Sequence, residues 1–178
     1  MSAYERVKQW NTFARIWHIY DAKWQNPIES AKVISKHLQG QHKPIYHPLN
    51  DCGDHVIVMN SRHIALPGYE WKKRAYFHHT GYPGGVSWTL AWQLHEIDPT
   101  LVMKKAVRWE LPRSLIKFRL MARLHIFPDQ EVPEDLLKNV SSQIRQLRPV
   151  PRTLASYSDK EVDEFPKIND FPKDYILK

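Results

Sequence analysis

Two neighbouring histidines, His78 and His79, have side chains suited to acid–base catalysis. An imidazole both accepts and donates protons near neutral pH, and RNA cleavage needs one group for each task. Adjacent residues of a strand point to opposite faces, however, and no nearby carboxylate is spaced to orient either ring. The pair therefore favours a non-catalytic role, and a histidine-dependent RNA-processing enzyme is kept as a minor alternative.

A second group of residues has the chemistry of a zinc site. Its potential ligands fall within fourteen residues and are His42, His47, Cys52 and His55. A structural zinc site normally draws more than one cysteine, and all four ligands must converge. Because Cys52 is the single cysteine of the chain, we predict no metal site, no intrachain disulfide and a reducing compartment.

The glycine-rich segment 81–85 follows the histidine pair. It lacks the Gly-Lys-Ser/Thr ending of a Walker loop. Pro83-Gly84 suits the centre of a type II turn, in which Gly84 takes a positive φ angle. A plain turn needs one glycine, whereas two allow another backbone to approach closely, and Tyr82 offers a ring for stacking. The segment predicts a loop that lies against sugar-phosphate.

Basic side chains are concentrated in the first part of the chain. The 178 residues carry a formal charge of +7, and residues 1–130 hold 18 basic against 10 acidic side chains. The cations cluster at 72–74, 104–108 and 113–123. One such cluster usually marks a solvated face, but three in one basic segment predict a broad phosphate-binding surface.

Targeting signals are weak. No apolar run reaches the ~20 residues of a membrane span. The first residues lack the apolar core of a secretory signal, and their mixture of basic and apolar side chains is compatible with a mitochondrial address.

The pattern of apolar residues predicts alternating strands and helices. Strands are predicted at 16–20, 56–59 and 74–79, the second of them buried on both faces as in a parallel sheet. Helices are predicted at 26–40, at 87–97 with Ser87 as cap, after Asp98 with Trp109 on the apolar face, at 114–124 and at 134–144. This order predicts a layered α/β fold.

Several motifs occur in an order that resembles a known family. They are Trp17-x-x-x-Asp21, Leu38-x-Gly40-x-His42-Lys43-Pro44, Asp51-x-Gly53-Asp54 with Val56-x-Val58-x-Asn60, His79-Thr80-Gly81-Tyr82-Pro83-Gly84-Gly85, and Leu111-Pro112 followed by Arg119-x-Met121. Over about residues 15–128 the chain resembles the thirteenth large-subunit ribosomal protein family (L-thirteen). The continuation at 123–135 and the proline-broken tail resemble its mitochondrial form.

The chain departs from the family pattern at two places. Trp109-Glu110 stands where the family usually has Gly-Met. The family's Gly-Arg-Leu-Ala is replaced by Ile-Glu-Ser-Ala at 28–31. The second change removes an arginine, so no RNA contact is carried over to that helix start.

The resemblance implies a three-layer α/β/α sandwich with a small, mainly parallel sheet and an extended C-terminal tail. It divides the chain into an N-terminal extension (1–14), an α/β domain (15–128), a helical extension (129–148) and the tail (149–178).

The resemblance also implies a function. It implies a structural, non-enzymatic constituent of the mitochondrial large ribosomal subunit, located in the matrix, with no cofactor and no small-molecule substrate. Such a protein binds large-subunit rRNA and neighbouring ribosomal proteins, and supports subunit assembly and mitochondrial translation. An extra-ribosomal RNA-binding regulator is the alternative. The implied RNA contacts are Lys43, His79, Tyr82, Gly84, Gly85, Arg113, Arg119 and Arg123.

Overall fold

The computed structural model describes residues 3–13 and 15–166. Four strands, β1 (Trp17–Asp21), β2 (His55–Met59), β5 (Leu124–Ile126) and β6 (Val140–Gln143), form a parallel sheet in the order β5-β2-β1-β6. Two further strands, β3 (Ala75–His79) and β4 (Val86–Leu90), form an antiparallel hairpin. The helices are α1 (Ala3–Phe13), α2 (Pro27–Gln39), α3 (Glu70–Lys73), α4 (Ala91–Ile97), α5 (Leu101–Glu110), α6 (Ile116–Ala122), α7 (Glu134–Leu137) and α8 (Asp159–Asp163). The predicted α/β class with a small parallel sheet is confirmed.

The hydrophobic core lies against one face of the parallel sheet. Tyr20, Val56 and Val58 occupy matching positions of β1 and β2 and are fully buried. The helices α2, α4, α5 and α6 contribute further core residues: Ala31, Ile34, Leu38, Leu94, Val102, Met103, Val107 and Leu120. Within this core the hydroxyl groups of Tyr20 and Ser30 lie 2.7 Å apart. The core therefore fixes α2 against the sheet.

Helix α2 begins and ends as its capping residues predict. The Asn26 side chain accepts a hydrogen bond from the Ile28 amide at 3.0 Å, and Pro27 takes the first helical position. Gly40 ends the helix with φ +76°. A β-carbon at Gly40 would lie 2.6 Å from the Cys52 carbonyl oxygen, so both the backbone angle and the close approach require glycine.

The central strands also match the sequence prediction. β1 lies between β2 and β6, and β2 lies between β1 and β5. Val56, Ile57 and Val58 are all fully buried, although successive side chains of a strand face opposite ways. Strand β2 is therefore covered on both faces, as its uninterrupted apolar run predicts.

The predicted helix at 87–97 is wrong in its first part. Ser87 is not a helix cap but the partner of His78 in the hairpin, and α4 starts at Ala91. Residues 86–90 contain β-branched and aromatic side chains, which favour a strand. The antiparallel partner β3 decides between the two structures.

The predicted helix at 134–144 is wrong beyond Leu137. Residues Val140–Gln143 form β6, which pairs with β1, and the Ile144 amide donates to the Ile19 carbonyl at 2.9 Å. The segment 129–148 is thus a short helix followed by an edge strand of the main sheet. Hydrogen bonds to a distant strand outweigh its local helical pattern.

The described part of the tail is largely exposed. Residues 149–166 contain a 3₁₀ turn at Leu154–Ser156 and the short helix α8. The rest of the predicted tail, 167–178, lies outside the described residues. Across residues 3–13 and 15–166, no helix has the length and apolarity to span a membrane.

Candidate nucleic-acid interface

The glycine-rich loop is the turn of the β3–β4 hairpin. The Gly85 amide donates to the Tyr82 carbonyl at 3.0 Å, and Gly84 has φ +74°. These values define the predicted type II turn with Pro83 at its second position. Tyr82 is 76% exposed at the tip, so its ring is available for stacking.

The two glycines after the proline have different roles. A β-carbon on Gly84 would meet no atom within 4 Å, so this glycine faces open space. A β-carbon on Gly85 would lie 1.9 Å from Thr80 Oγ1, and the Thr80 amide donates to the Gly85 carbonyl. Gly85 therefore closes the hairpin, whereas Gly84 leaves bare backbone exposed at the turn.

The histidine pair does not converge on one site. His78 and His79 are exposed neighbours on β3, so their side chains leave opposite faces of the hairpin. His79 Nδ1 accepts a hydrogen bond from the Gly81 amide at 2.8 Å, so the proton of the neutral ring is on Nε2. Within the described residues, no carboxylate hydrogen bonds to either ring. His79 thus braces the loop and directs one N–H donor outward.

The exposed cations of the basic clusters lie on three elements. Exposed basic side chains come from α3, from α5 and from the segment that contains α6; they are Lys72, Lys73, Lys104, Arg108, Arg113 and Arg119. Arg113 and Arg119 were predicted as contacts to RNA, and both are open to solvent. Lys117 and Arg119 of the third cluster line different grooves, so this cluster does not form a single basic face.

Lys43 and Arg123, which the resemblance implies as RNA contacts, are mostly buried and paired with carboxylates. The Arg123 side chain is 9% exposed and makes two hydrogen bonds to Asp51, one of them at 2.6 Å. Helix α6 ends at Ala122, and the Arg123 carbonyl already accepts from the Val56 amide beside β5. The side chain therefore turns away from the exposed helix face. The Lys43 side chain is likewise 9% exposed and is paired with Asp54.

Asp54 is the centre of a buried polar group. One carboxylate oxygen pairs with Lys43 and accepts from the Ile16 amide at 2.8 Å. The other lies 3.1 Å from the Nε2 atoms of both His18 and His42. Burial raises the pKa of Asp54, but hydrogen bonds from His18 and Lys43 outweigh it and hold the pKa below the ordinary value. The group joins the starts of β1 and β2 to the loop after α2.

The residues of the zinc hypothesis lie apart. His55 belongs to β2, where its ring stacks on Trp17 with centroids 4.1 Å apart. Cys52 is buried with its Sγ 3.8 Å from the Gln39 carbonyl oxygen. The metal-like grouping that the described residues do contain is His18, His42 and Asp54, and there the Lys43 ammonium already compensates the carboxylate charge.

Burial lowers the pKa of four histidines, namely His37, His42, His55 and His125, below their ordinary value of 6.5. A group that resists protonation in the folded state, but accepts a proton when unfolded, stabilises the fold above its unfolded pKa. That stabilisation is lost as the pH falls through the folded pKa. Protonation of these four histidines therefore destabilises the fold as the pH falls below neutral.

The free energy of unfolding is expected to fall between about pH 7 and pH 5, because the unfolded chain binds protons at these histidines. Urea unfolding across that range measures it. Replacing the half-buried His55 by asparagine should reduce the pH dependence, and His78→Asn on the exposed hairpin is the matched control. Constant stability over this range contradicts the expectation.

Sequence reasoning misplaced one aromatic residue. Trp109 was predicted on the apolar face of α5 but is 82% exposed. The buried residues of α5 are Val102, Met103 and Val107. Because each helical residue turns by about 100°, Trp109 lies nearly opposite Val107. The departure from the family pattern at this position was the available signal.

The family model "Ribosomal protein L13" matches residues 15–133. The chain belongs to this ribosomal protein family. It is 61% identical to "Large ribosomal subunit protein uL13m" of Drosophila melanogaster over 178 residues, the whole length of both. It is 32% identical to "Large ribosomal subunit protein uL13" of Geobacillus kaustophilus, over 76% of this chain and 93% of the relative.

Membership in the L13 family confirms the resemblance found in the sequence. A further uL13 protein, from Coprothermobacter proteolyticus, is 36% identical over 119 residues, 67% of this chain and 83% of the relative. Membership in a family of ribosomal proteins supports the prediction that the chain is not an enzyme. The family match ends at residue 133, before β6 begins.

Proposed function

We propose that this protein is a structural constituent of the mitochondrial large ribosomal subunit, where it binds large-subunit rRNA and supports assembly and mitochondrial translation. The observation that carries the proposal is the full-length match at 61% identity to the uL13m protein of Drosophila melanogaster. The matrix location and the neighbouring ribosomal proteins as partners follow from the same match.

The exposed cations and the hairpin support rRNA as the partner. Basic side chains neutralise phosphates, and a bare backbone turn admits a sugar-phosphate chain at close range. We propose that His79, Tyr82, Gly84, Arg113 and Arg119 contact rRNA. The remaining predicted contacts have internal partners, and we propose that they shape the surface; they are Lys43, Gly85 and Arg123.

Sedimentation of the endogenous protein through a sucrose gradient tests the proposal. The protein should migrate with the large subunit and should leave that fraction when the subunit is dissociated. Migration near the top of the gradient, apart from ribosomal particles, contradicts the proposal and favours the extra-ribosomal regulator.

Gly84→Val is expected to impair incorporation into the large subunit. The positive φ strains any residue with a β-carbon, at about 1–2 kcal/mol, and the branched side chain occupies the space where rRNA should lie. Incorporation is scored by gradient sedimentation.

Gly68→Val is the matched control, because Gly68 also has a positive φ and open space but lies outside the hairpin. Equal incorporation of both variants, at equal melting temperatures, would show that the turn does not face rRNA.

A further inference from the structure

Three exposed aromatic rings line one groove beside the hairpin. The side chains of Trp109, Trp88 and Phe77 are 82%, 65% and 54% exposed, and all three line a groove of about 640 Å³ formed with β3, β4 and α5. Phe77 and Trp88 are cross-strand partners whose ring centroids lie 5.0 Å apart. Apolar rings grouped at the surface mark a binding site, because a partner removes them from water.

The groove also carries positive charge. Its basic lining residues are Arg74, Lys105, Arg108 and Lys117, and its acidic lining residue is Glu110. Arg74 is paired with Glu70 at 2.8 Å. The excess positive charge therefore comes from Lys105 and Arg108 on α5 and from Lys117 on α6. Single-stranded nucleic acids are bound by this combination, in which cations follow the phosphates and bases stack on open rings.

Packing does not explain the ring of Trp109, which lies at the end of α5. The Trp109 ring contributes nothing to the buried core of α5, since its side chain is 82% exposed. The packing of α5 therefore does not require this ring at the surface.

We propose that this groove binds an unpaired nucleotide of rRNA, with the base against the rings of Trp109 and Trp88 and the phosphates beside Lys105 and Arg108. The inference rests on the proposed function and names a site that the hairpin turn does not include. An acidic protein segment matches the charge alone. A nucleotide matches both the charge and the flat, open rings.

Binding of RNA to the full-length chain tests the site. The probes are a short unstructured RNA oligonucleotide, an abasic oligonucleotide of the same length, and a polyglutamate peptide. Wild-type protein should prefer the base-bearing oligonucleotide. Trp109→Ala should weaken its binding about tenfold and remove most of the preference over the abasic chain, because base stacking is lost.

Two variants serve as controls. Tyr69→Ala removes an exposed ring, 77% exposed, that does not line the groove, and it should leave both affinities unchanged. Lys105→Ala combined with Arg108→Ala should weaken both oligonucleotides alike. Melting temperatures establish that the variants are folded.

Three results overturn the inference. They are an absence of preference for bases in the wild type, an unchanged preference in Trp109→Ala, and an equal loss in Tyr69→Ala. If Trp109→Ala loses polyglutamate binding but retains RNA binding, the groove binds an acidic protein segment and not a nucleotide. Sedimentation with the large subunit is read separately. If the wild type sediments there but shows no base preference, the groove inference fails while the proposed function stands.

Discussion

Gly53→Ala is expected to lower the free energy of unfolding by about 3 kcal/mol, because a rigid backbone leaves no room for the added carbon. A β-carbon on Gly53 would lie 1.8 Å from the Leu38 carbonyl oxygen and 2.9 Å from an Arg123 nitrogen. The segment before β2 would have to move away from the last turn of α2. Urea unfolding with an unchanged m value measures the loss.

Gly68→Ala is the control for the change from glycine to alanine. An alanine β-carbon there meets no atom within 4 Å, although φ is +54°, so its cost should stay near about 1 kcal/mol. If Gly53→Ala is no more destabilising than Gly68→Ala, the close approach of α2 to the start of β2 is not as described.

Arg123→Ala is expected to lower stability by about 2–3 kcal/mol. Removing one member of a largely buried ion pair leaves the other charge poorly compensated, and Asp51 would retain only its longer contact with Arg15 at 3.4 Å. Arg123 bonds to both carboxylate oxygens of Asp51 and lies 3.3 Å from the Gly53 carbonyl oxygen. The cost is below that of a fully buried pair because the Asp51 side chain is 29% exposed.

Arg119→Ala is the matched variant from the same basic cluster. Arg119 is exposed on α6, so its replacement should change stability by less than about 0.5 kcal/mol. The sequence alone does not distinguish Arg119 from Arg123, whereas the structure predicts a loss of stability only when Arg123 is replaced. Equal melting temperatures for the two variants would show that Arg123 is an exposed cation and not part of a buried ion pair.

Local signals in the sequence predicted the elements that depend on local chemistry. Asn26, Pro27 and Gly40 define α2 because each satisfies a requirement of a helix end. Pro83 and Gly84 define the hairpin turn because their backbone angles are restricted or permitted in the way that turn needs. Such features are decided by a few neighbouring residues and are readable without the fold.

Features that depend on distant residues were not readable in this way. Val140–Gln143 carries a helical pattern but forms a strand, since β1 supplies its hydrogen bonds. Arg123 belongs to a basic run, yet Asp51, seventy-two residues earlier, turns it inward. The turn of the hairpin was therefore predicted from the sequence, whereas the burial of Arg123 among exposed cations was not.

The position of β1 has a consequence for synthesis. This strand is synthesised before its edge partner β6, which pairs Val140 with Trp17 across a span of 123 residues. Parallel pairings of high contact order fold slowly, because the chain loses loop entropy before the contacts form. The nascent chain must hold β1 open on that side until β6 has emerged. Completion of the sheet therefore waits for β6, and chains truncated before Val140 would expose an unpaired strand edge that favours aggregation.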